Sequence, residues 1–315
     1  MDIRLKQLSY SSRMLLASCP RKYQLTKYNV ALNIEEDENS RITLAFGTVV
    51  GLGIQLVFQG MQREAIIIQL FLAWPHELGL FATSTKHKKS FFLAVVAIDK
   101  MIAMRANGLL RDYELLIWEG KPATELSFRV DLGDGFSDRG FLDMVLKHKE
   151  TGEILCVEIK TDSAKYKVHE AKYGNSPQAL GYSIVLDRVS PGTSSYKVLY
   201  IIYFSELLEY ELLEFIKSPL AKAEWIQNAI VATKIVNLYE SAGVFPKHGQ
   251  SCLSWNRPCK YYGVCNLSDS ILLKPITEAE TALIIRENEE KYQLQFHIDT
   301  IIDNQLDMLN TEELL

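Results

Sequence analysis

The sequence predicts an α/β protein in which helices flank a mixed central sheet. Strand-like runs with apolar residues at every second position cover 125–130, 139–147 and 154–160. Longer segments with apolar residues at helical spacing precede and follow these runs. The elements follow one another as helices, three strands, a helix, two strands and a long helix, an order typical of a mixed sheet with helices packed on it.

The elements before the sheet are predicted to be helical. A short helix over 8–16 has Ser9 in the position of an N-cap. An acidic loop over 35–40 separates it from a helix over 42–59, where the spacing of Gly47 and Gly51 indicates close backbone packing. Two further helices are predicted, over 61–71 and 89–107.

The predicted sheet begins with three consecutive strands. The four residues 149–152, Lys-Glu-Thr-Gly, have the composition of a hairpin loop. With that loop His148 faces Glu153, and the same register sets Asp143 opposite Glu158. The remaining predicted elements are a helix over 176–186, strands over 197–204 and 209–216, a helix over 221–239, a Cys-rich loop over 243–267 and a helical charged tail.

Composition limits the class of protein. The chain has 315 residues, of which 48% are hydrophobic and 23% charged, enough for a substantial core. We expect a cytoplasmic protein without a membrane segment, because nothing resembles a signal peptide and no apolar run reaches ~20 residues. The net charge of -5 does not indicate a nucleic-acid binder, although a local basic groove is compatible with it.

The pair Asp143 and Glu158 indicates chemistry rather than packing. Side chains directly opposed on antiparallel strands lie about 4.5–5.5 Å apart at Cβ. Two carboxylates that close repel each other unless a proton or a cation lies between them, and a divalent metal is the simplest occupant. Lys160 shares the face of Glu158, and taken alone it equally suits an ordinary salt bridge.

The five cysteines fall into two kinds. Cys156 lies in an apolar strand and is predicted to be a core residue. The other four indicate a metal site, because disulfides are unexpected without an export signal; they are Cys19, Cys252, Cys259 and Cys265. Thiolates suit zinc and a [4Fe–4S] cluster alike, but the absence of a C-x2-4-C pair favours the cluster. Unligated cysteines in a surface loop are the alternative.

Several motifs in order resemble those of PD-(D/E)XK nucleases of the RecB type. This group includes the AddB nuclease domain, the CRISPR-associated four-cysteine exonucleases and many phage recombination exonucleases. The matching segments are Leu8-Ser-Tyr-Ser11, Cys19-Pro-Arg-Lys-Tyr23, Phe46-Gly-Thr-Val-Val, Gly140-Phe-Leu-Asp143, Glu158-Ile-Lys160-Thr161, Gln178-Ala-Leu-Gly-Tyr182 and the three C-terminal cysteines. No single motif is specific, but the ordered set is.

The resemblance implies a restriction-endonuclease-like fold and a metal-dependent deoxyribonuclease, more readily an exonuclease than an endonuclease. It implies a nuclease domain over 1–270, with a helical part over about 42–115, a catalytic core over about 121–216 and the Cys-rich loop, followed by the tail over 271–315. Its roles would be DNA recombination, repair or end processing in a bacterial or phage-infected cell. DNA would be the substrate, and a homo-oligomer or a recombination partner protein is possible.

The resemblance also implies roles for individual residues. Asp143, Glu158 and the carbonyl of Ile159 would bind Mg²⁺ or Mn²⁺, and Lys160 would orient the attacking water. Gln178 and Tyr182 would form the wall of the active site, although packing on the sheet is an alternative for Tyr182. Glu125 would make a supporting contact or lie at the surface. The four cysteines would hold the [4Fe–4S] cluster, with zinc as the alternative.

The sequence departs from the family's motifs at two places, and both leave other functions open. Gly51 stands where the family has a histidine that helps to hold the metal. The first gap in the C-terminal cysteine trio is wider than the family's. A DNA-binding accessory protein that retains the fold without cutting, and an iron–sulfur structural module, are the alternatives to a nuclease.

Overall fold

The structure, a computed structural model, describes residues 2–30, 37–84, 87–165, 169–189, 196–254 and 257–298. The helices are α1 (Ile3–Lys6), α2 (Tyr10–Ser18), α3 (Pro20–Lys27), α4 (Glu38–Phe58), α5 (Arg63–Ala73), α6 (Phe91–Ala106), α7 (His169–Gly174), α8 (Pro177–Val189), α9 (Pro219–Ser241), α10 (Asp269–Leu272) and α11 (Glu278–Glu290). The strands are β1 (Gln7–Leu8), β2 (Thr83–Ser84), β3 (Lys89–Ser90), β4 (Tyr113–Leu115), β5 (Ile117–Trp118), β6 (Lys121–Pro122), β7 (Thr124–Gly133), β8 (Phe136–His148), β9 (Ile154–Asp162), β10 (Tyr196–Phe204), β11 (Glu209–Lys217), β12 (Leu253–Ser254), β13 (Arg257–Pro258) and β14 (Leu294–His297).

The chain forms two compact units. The first unit comprises Met1–Glu35, Ser127–Phe141 and Pro219–Leu315, and the second comprises Glu36–Leu126 and Leu142–Ser218. The chain passes between them within β7 and again within β8. The division into a nuclease domain over 1–270 and a tail over 271–315 stays a prediction.

The second unit contains a mixed sheet. Strand β8 pairs with β9 in antiparallel orientation, β9 with β10 in parallel and β10 with β11 in antiparallel. Helix α4 packs against β9, and α8 contacts β9 and β10. The predicted fold class, a mixed central sheet flanked by helices, is therefore confirmed.

Helix α4 belongs to the core of the second unit. Its buried side chains, among them Phe46, Val49 and Val50, pack with Val157 and Ile159 of the sheet. By length and composition alone the helix could cross a membrane, but 61% of its most apolar window is buried within the protein. Burial in a core explains the same apolar composition.

The first unit combines both ends of the chain. Strand β1 pairs in parallel with the start of β8, and β14 pairs in parallel with β7. The predicted helical tail contains α11, which begins with a capping box between Thr277 and Glu280. It also contributes β14, a strand that the sequence did not predict. The remainder of the tail, 299–315, lies outside the described residues.

Candidate active site

A single hairpin brings the two predicted acids together in the second unit. The β8–β9 ladder pairs Met144 with Val157, and the same register continued by one residue sets Asp143 against Glu158. At the other end the His148 N–H donates to the carbonyl of Glu153 at 2.8 Å. The predicted register is therefore confirmed over 144–148 and 153–157. His148 itself accepts hydrogen bonds from the N–H groups of Glu150 and Thr151, so it caps the turn.

The two acids have different surroundings. Asp143 Oδ2 accepts a hydrogen bond from the N–H of Ile159 at 2.8 Å, which ties it to the neighbouring strand. The Glu158 side chain is 1% exposed. Its Oε1 accepts from the Lys160 ammonium, while its buried Oε2 has no hydrogen-bond donor among the described residues. One buried carboxylate oxygen is thus left without a partner, a costly arrangement that a bound cation would relieve.

The electrostatics of the pair favour the neutral forms in the absence of a metal. Burial, followed by the nearby charge of Glu158, raises the pKa of Asp143 to about 8. Burial also raises the pKa of Glu158, against the opposing charge of Lys160. A hard divalent cation would supply the missing positive charge, and carboxylate oxygens are the ligands that Mg²⁺ and Mn²⁺ take. The donor set therefore fits such an ion.

Lys160 is the cation of this site and is held on two sides. Besides Glu158, its Nζ donates to Gln178 Oε1 of α8 at 3.3 Å. The Gln178 amide donates in turn to the Tyr182 hydroxyl at 2.5 Å, one helical turn further along. The structure thus brings together the five predicted catalytic residues, Asp143, Glu158, Lys160, Gln178 and Tyr182. The role of the Ile159 carbonyl as a metal ligand stays a prediction.

Gln55 is a residue of the site that the sequence reasoning missed. Its amide nitrogen donates to Glu125 Oε1 at 2.8 Å and to the carbonyl of Asp143 at 3.0 Å. The side chain is 4% exposed, on a helix whose other buried residues are nearly all apolar. A glutamine on the buried face of an apolar helix was the feature that could have indicated it. Through Gln55, Glu125 is linked to the strand that carries Asp143.

Two glycines of the motifs differ in whether packing requires them. A Cβ on Gly140 would come within 2.9 Å of the Phe128 ring, so this glycine is required by packing. A Cβ on Gly51 would meet nothing within 4 Å. The position where the family has its histidine is therefore open space in this protein.

The four cysteines of the first unit do not fit a metal in this structure. The loop does meet the N-terminal segment, since the carbonyl of Ser18 accepts hydrogen bonds from Ser251 at 2.6 Å and from His248 at 2.9 Å. Yet across the described ranges no three His, Cys, Asp or Glu side chains form a group able to hold a metal ion, neither at these cysteines nor beside the pair Asp143 and Glu158. The predicted [4Fe–4S] cluster, or zinc, on Cys19, Cys252, Cys259 and Cys265 is therefore not supported.

Comparison with known proteins gives a family model that matches most of the chain. The family model described as the PD-(D/E)XK nuclease superfamily matches residues 7–266. The structure is similar to that of a candidate exonuclease from Eubacterium rectale, with 11% identity, a TM-score of 0.49 and coverage of 88% of this chain and 93% of that chain. It is also similar to the structure of SSO0001, with 13% identity, a TM-score of 0.30 and coverage of 79% and 95%. No curated protein matches the sequence significantly.

Proposed function

The chain belongs to the PD-(D/E)XK nuclease superfamily, and we propose that it is a Mg²⁺- or Mn²⁺-dependent deoxyribonuclease that acts as an exonuclease of the RecB type. The observation that carries the proposal is that Asp143 and Glu158 directly adjoin the last pair of one hairpin, with Asp143 bound to the Ile159 N–H and Lys160 bound to Glu158. Roles in DNA recombination, repair or end processing in the cytoplasm, and a homo-oligomer or recombination partner, belong to the same proposal.

The two carboxyl groups of the site would bind the divalent cation, and neighbouring groups hold Asp143 in position for this. Asp143 is fixed by the Ile159 N–H, and Gln55 anchors the backbone at Asp143 itself. When bound between such carboxylates, a divalent metal activates water and relieves charge on the phosphate. The cost of burying both acids without that charge is visible in the raised pKa of Asp143.

Lys160 would orient the attacking water and stabilise negative charge that develops on the phosphate. Its ammonium donates to Glu158 and, at 3.3 Å, to Gln178, which places its positive charge beside the carboxylates. Gln178 keeps the ammonium in place, and Tyr182 supports Gln178. The buried Cys156 lies on the same strand, and burial raises the pKa of its thiol, which disfavours the reactive thiolate.

Hydrolysis of end-labelled linear and circular duplex DNA tests this function. With Mg²⁺ or Mn²⁺ we expect nucleotides to be released from linear DNA, while closed circles stay intact and EDTA stops the reaction. Nicking of circles would replace the exonuclease proposal by an endonuclease. No hydrolysis with either metal would reject the enzyme.

A second candidate, a DNA-binding accessory protein without catalysis, is favoured by the presence of Gly51 where the resemblance predicts a metal-binding histidine. A Gly51→His variant separates it from the nuclease. Wild-type protein that binds DNA ends without cutting, together with a cutting Gly51→His variant, would select the accessory protein.

A further inference from the structure

The first unit contains a cavity unrelated to the carboxylate pair. Its volume is about 450 Å³, within the ~300–1,000 Å³ typical of ligand pockets. Its lining includes Arg4, Ser11, Lys27, Arg139, Glu287 and Asn288. Helices α2, α3 and α11 and strand β8 contribute to its wall.

The charges around the cavity are unbalanced. Three cations line it against one acid, Glu287, whose side chain is exposed. Arg4 is neutralised by Asp2, whose carboxylate accepts from Arg4 Nε at 3.0 Å. In the part of the chain that the structure describes, Lys27 donates to the carbonyl of Gln7 and Arg139 donates to the amide oxygen of Asn288 at 2.7 Å, and both acceptors are neutral.

The buried carboxylate of Asp138 offsets the charge of Lys27 only in part, because the pKa of Lys27 is lowered in spite of it. Asp138 is 2% exposed and forms its ion pair with Arg13 at 3.0 Å. Burial, followed by the charge of Arg139, lowers the pKa of Lys27 to about 8. The cavity therefore holds two neighbouring cations whose mutual repulsion a bound anion would relieve.

The start of helix α2 adds neutral donors to the same wall. Ser9 caps this nine-residue helix and Ser12 completes the capping box. The first N–H groups of a helix have no intrahelical acceptor, and the helix dipole favours an anion beside them. The Ser11 side chain, which is exposed, lines the cavity at this point.

We propose that this cavity is a phosphate-binding site, with Lys27 and Arg139 as its cations and Ser11 and the first turn of α2 as its neutral donors. A phosphate group offers several oxygens at tetrahedral directions, so it can accept from these donors together. The volume accommodates a nucleotide as well as a free phosphate. The inference that the phosphate belongs to a nucleic acid rests on the proposed nuclease function. Binding of a free phosphate or nucleotide does not depend on that function.

Titration calorimetry of the metal-free full-length protein with inorganic phosphate and with deoxyadenosine monophosphate tests the site. We expect both to bind, and Lys27→Gln and Arg139→Gln each to weaken binding at least about 10-fold, as charged hydrogen bonds to phosphate require. Lys22→Gln, on the same helix but outside the cavity, is the matched control and should change affinity less than about 2-fold. Absence of binding to the wild type, or equal affinity in all three variants, would overturn the proposal.

A second variant covers the case in which the partly buried cations are needed for folding. Ser11→Glu introduces a carboxylate at an exposed position in the first turn of a helix, where it is favourable for the helix. We expect this variant to fold and to lose phosphate binding through repulsion. A folded Ser11→Glu protein with wild-type affinity would contradict the site.

DNA binding separates this inference from the proposed function. If DNA is the source, the dependence of log affinity on log salt should become shallower by about one unit in Lys27→Gln. Phosphate binding without any DNA cleavage would leave the cavity assigned and reject the nuclease. Cleavage with no phosphate binding would reject the cavity and leave the nuclease.

Discussion

The carboxylate pair and the Cys-rich loop were both predicted as metal sites, and they differ in how the chain builds them. Asp143 and Glu158 lie on the two strands of one hairpin, and the register of that hairpin fixes their opposition. A site made of the four cysteines would require an N-terminal segment to meet a loop near the other end of the chain. These two segments are in contact, since the Ser251 hydroxyl donates to the carbonyl of Ser18. Those segments meet, but their side chains do not form a metal-binding group in the described residues. Local pairing predicts side-chain geometry, whereas long-range contact predicts only proximity.

The largest expected effect concerns the carboxylate site. Lys160→Ala should lower the rate of DNA hydrolysis at least about 100-fold, because it removes a preorganised charge from the reacting group. Single-turnover cleavage of labelled DNA measures this. Lys165→Ala is the matched control, since Lys165 is an exposed lysine paired with Glu211. A Lys160→Ala protein as active as that control would remove Lys160 from the mechanism.

Asp143→Asn should make the metal-free protein more stable at alkaline pH. The folded-state pKa of Asp143 is about 8 against an ordinary 3.8, so its contribution to stability is present at low pH and lost as pH rises through about 8. Asparagine does not ionise, so the gain should reach a few kcal/mol near pH ~9, at ~1.4 kcal/mol per pKa unit, and vanish near pH ~4.

Urea denaturation in EDTA across this pH range measures that gain. Asp112→Asn, at an exposed carboxylate, should show no comparable pH dependence. The free energy of unfolding of the wild type should fall relative to that of Asp143→Asn between neutral and alkaline pH. A rise instead would contradict the burial of the acid pair.

Helix α4 permits a comparison of two glycines two positions apart. A Cβ on Gly53 would lie 2.5 Å from Ile98 Cδ1, so Gly53→Ala should destabilise the protein by ~1–3 kcal/mol through overpacking. Gly51→Ala has open space and should stabilise it by ~0.5–1 kcal/mol through helix propensity. Thermal denaturation distinguishes the two, and equal destabilisation by both would mean that the space beside Gly51 is filled.

The smallest effect is expected in the Cys-rich loop. Cys259 is partly exposed, so Cys259→Ser should change the free energy of unfolding by less than ~1 kcal/mol. Cys156→Ser in the buried strand should cost more, since it places a hydroxyl in the core. Visible absorbance and metal analysis of protein purified without oxygen complete the test. A coloured protein that loses colour and several kcal/mol on Cys259→Ser would restore the predicted cluster.

The sequence predicted the features that depend on periodicity and short turns. The strands 139–147 and 154–160 and the four-residue loop between them were sufficient to align Asp143 with Glu158. The i, i+4 spacing likewise predicted that Gln178 and Tyr182 share a helical face, and the two side chains are hydrogen bonded.

Features that depend on tertiary packing were not accessible to the same reasoning. Gln55 reaches the site only because α4 packs across the sheet, and no local pattern specifies that contact. Strand β14 was missed because a four-residue strand has too few residues to show a period. The cavity of the first unit includes Ser11 of a quoted motif, but it combines residues from both ends of the chain and from β8, so the motif alone did not indicate it.

The turn capped by His148 has a consequence for how the site arises in time. Closing a short hairpin takes ~1–10 μs and restricts few residues, whereas each doubling of a loop adds ~0.6 kcal/mol of entropic cost. Only fourteen residues separate Asp143 from Glu158 along the chain. We therefore expect the chain to acquire the arrangement of its two acids in an early folding step that does not require its ends to meet.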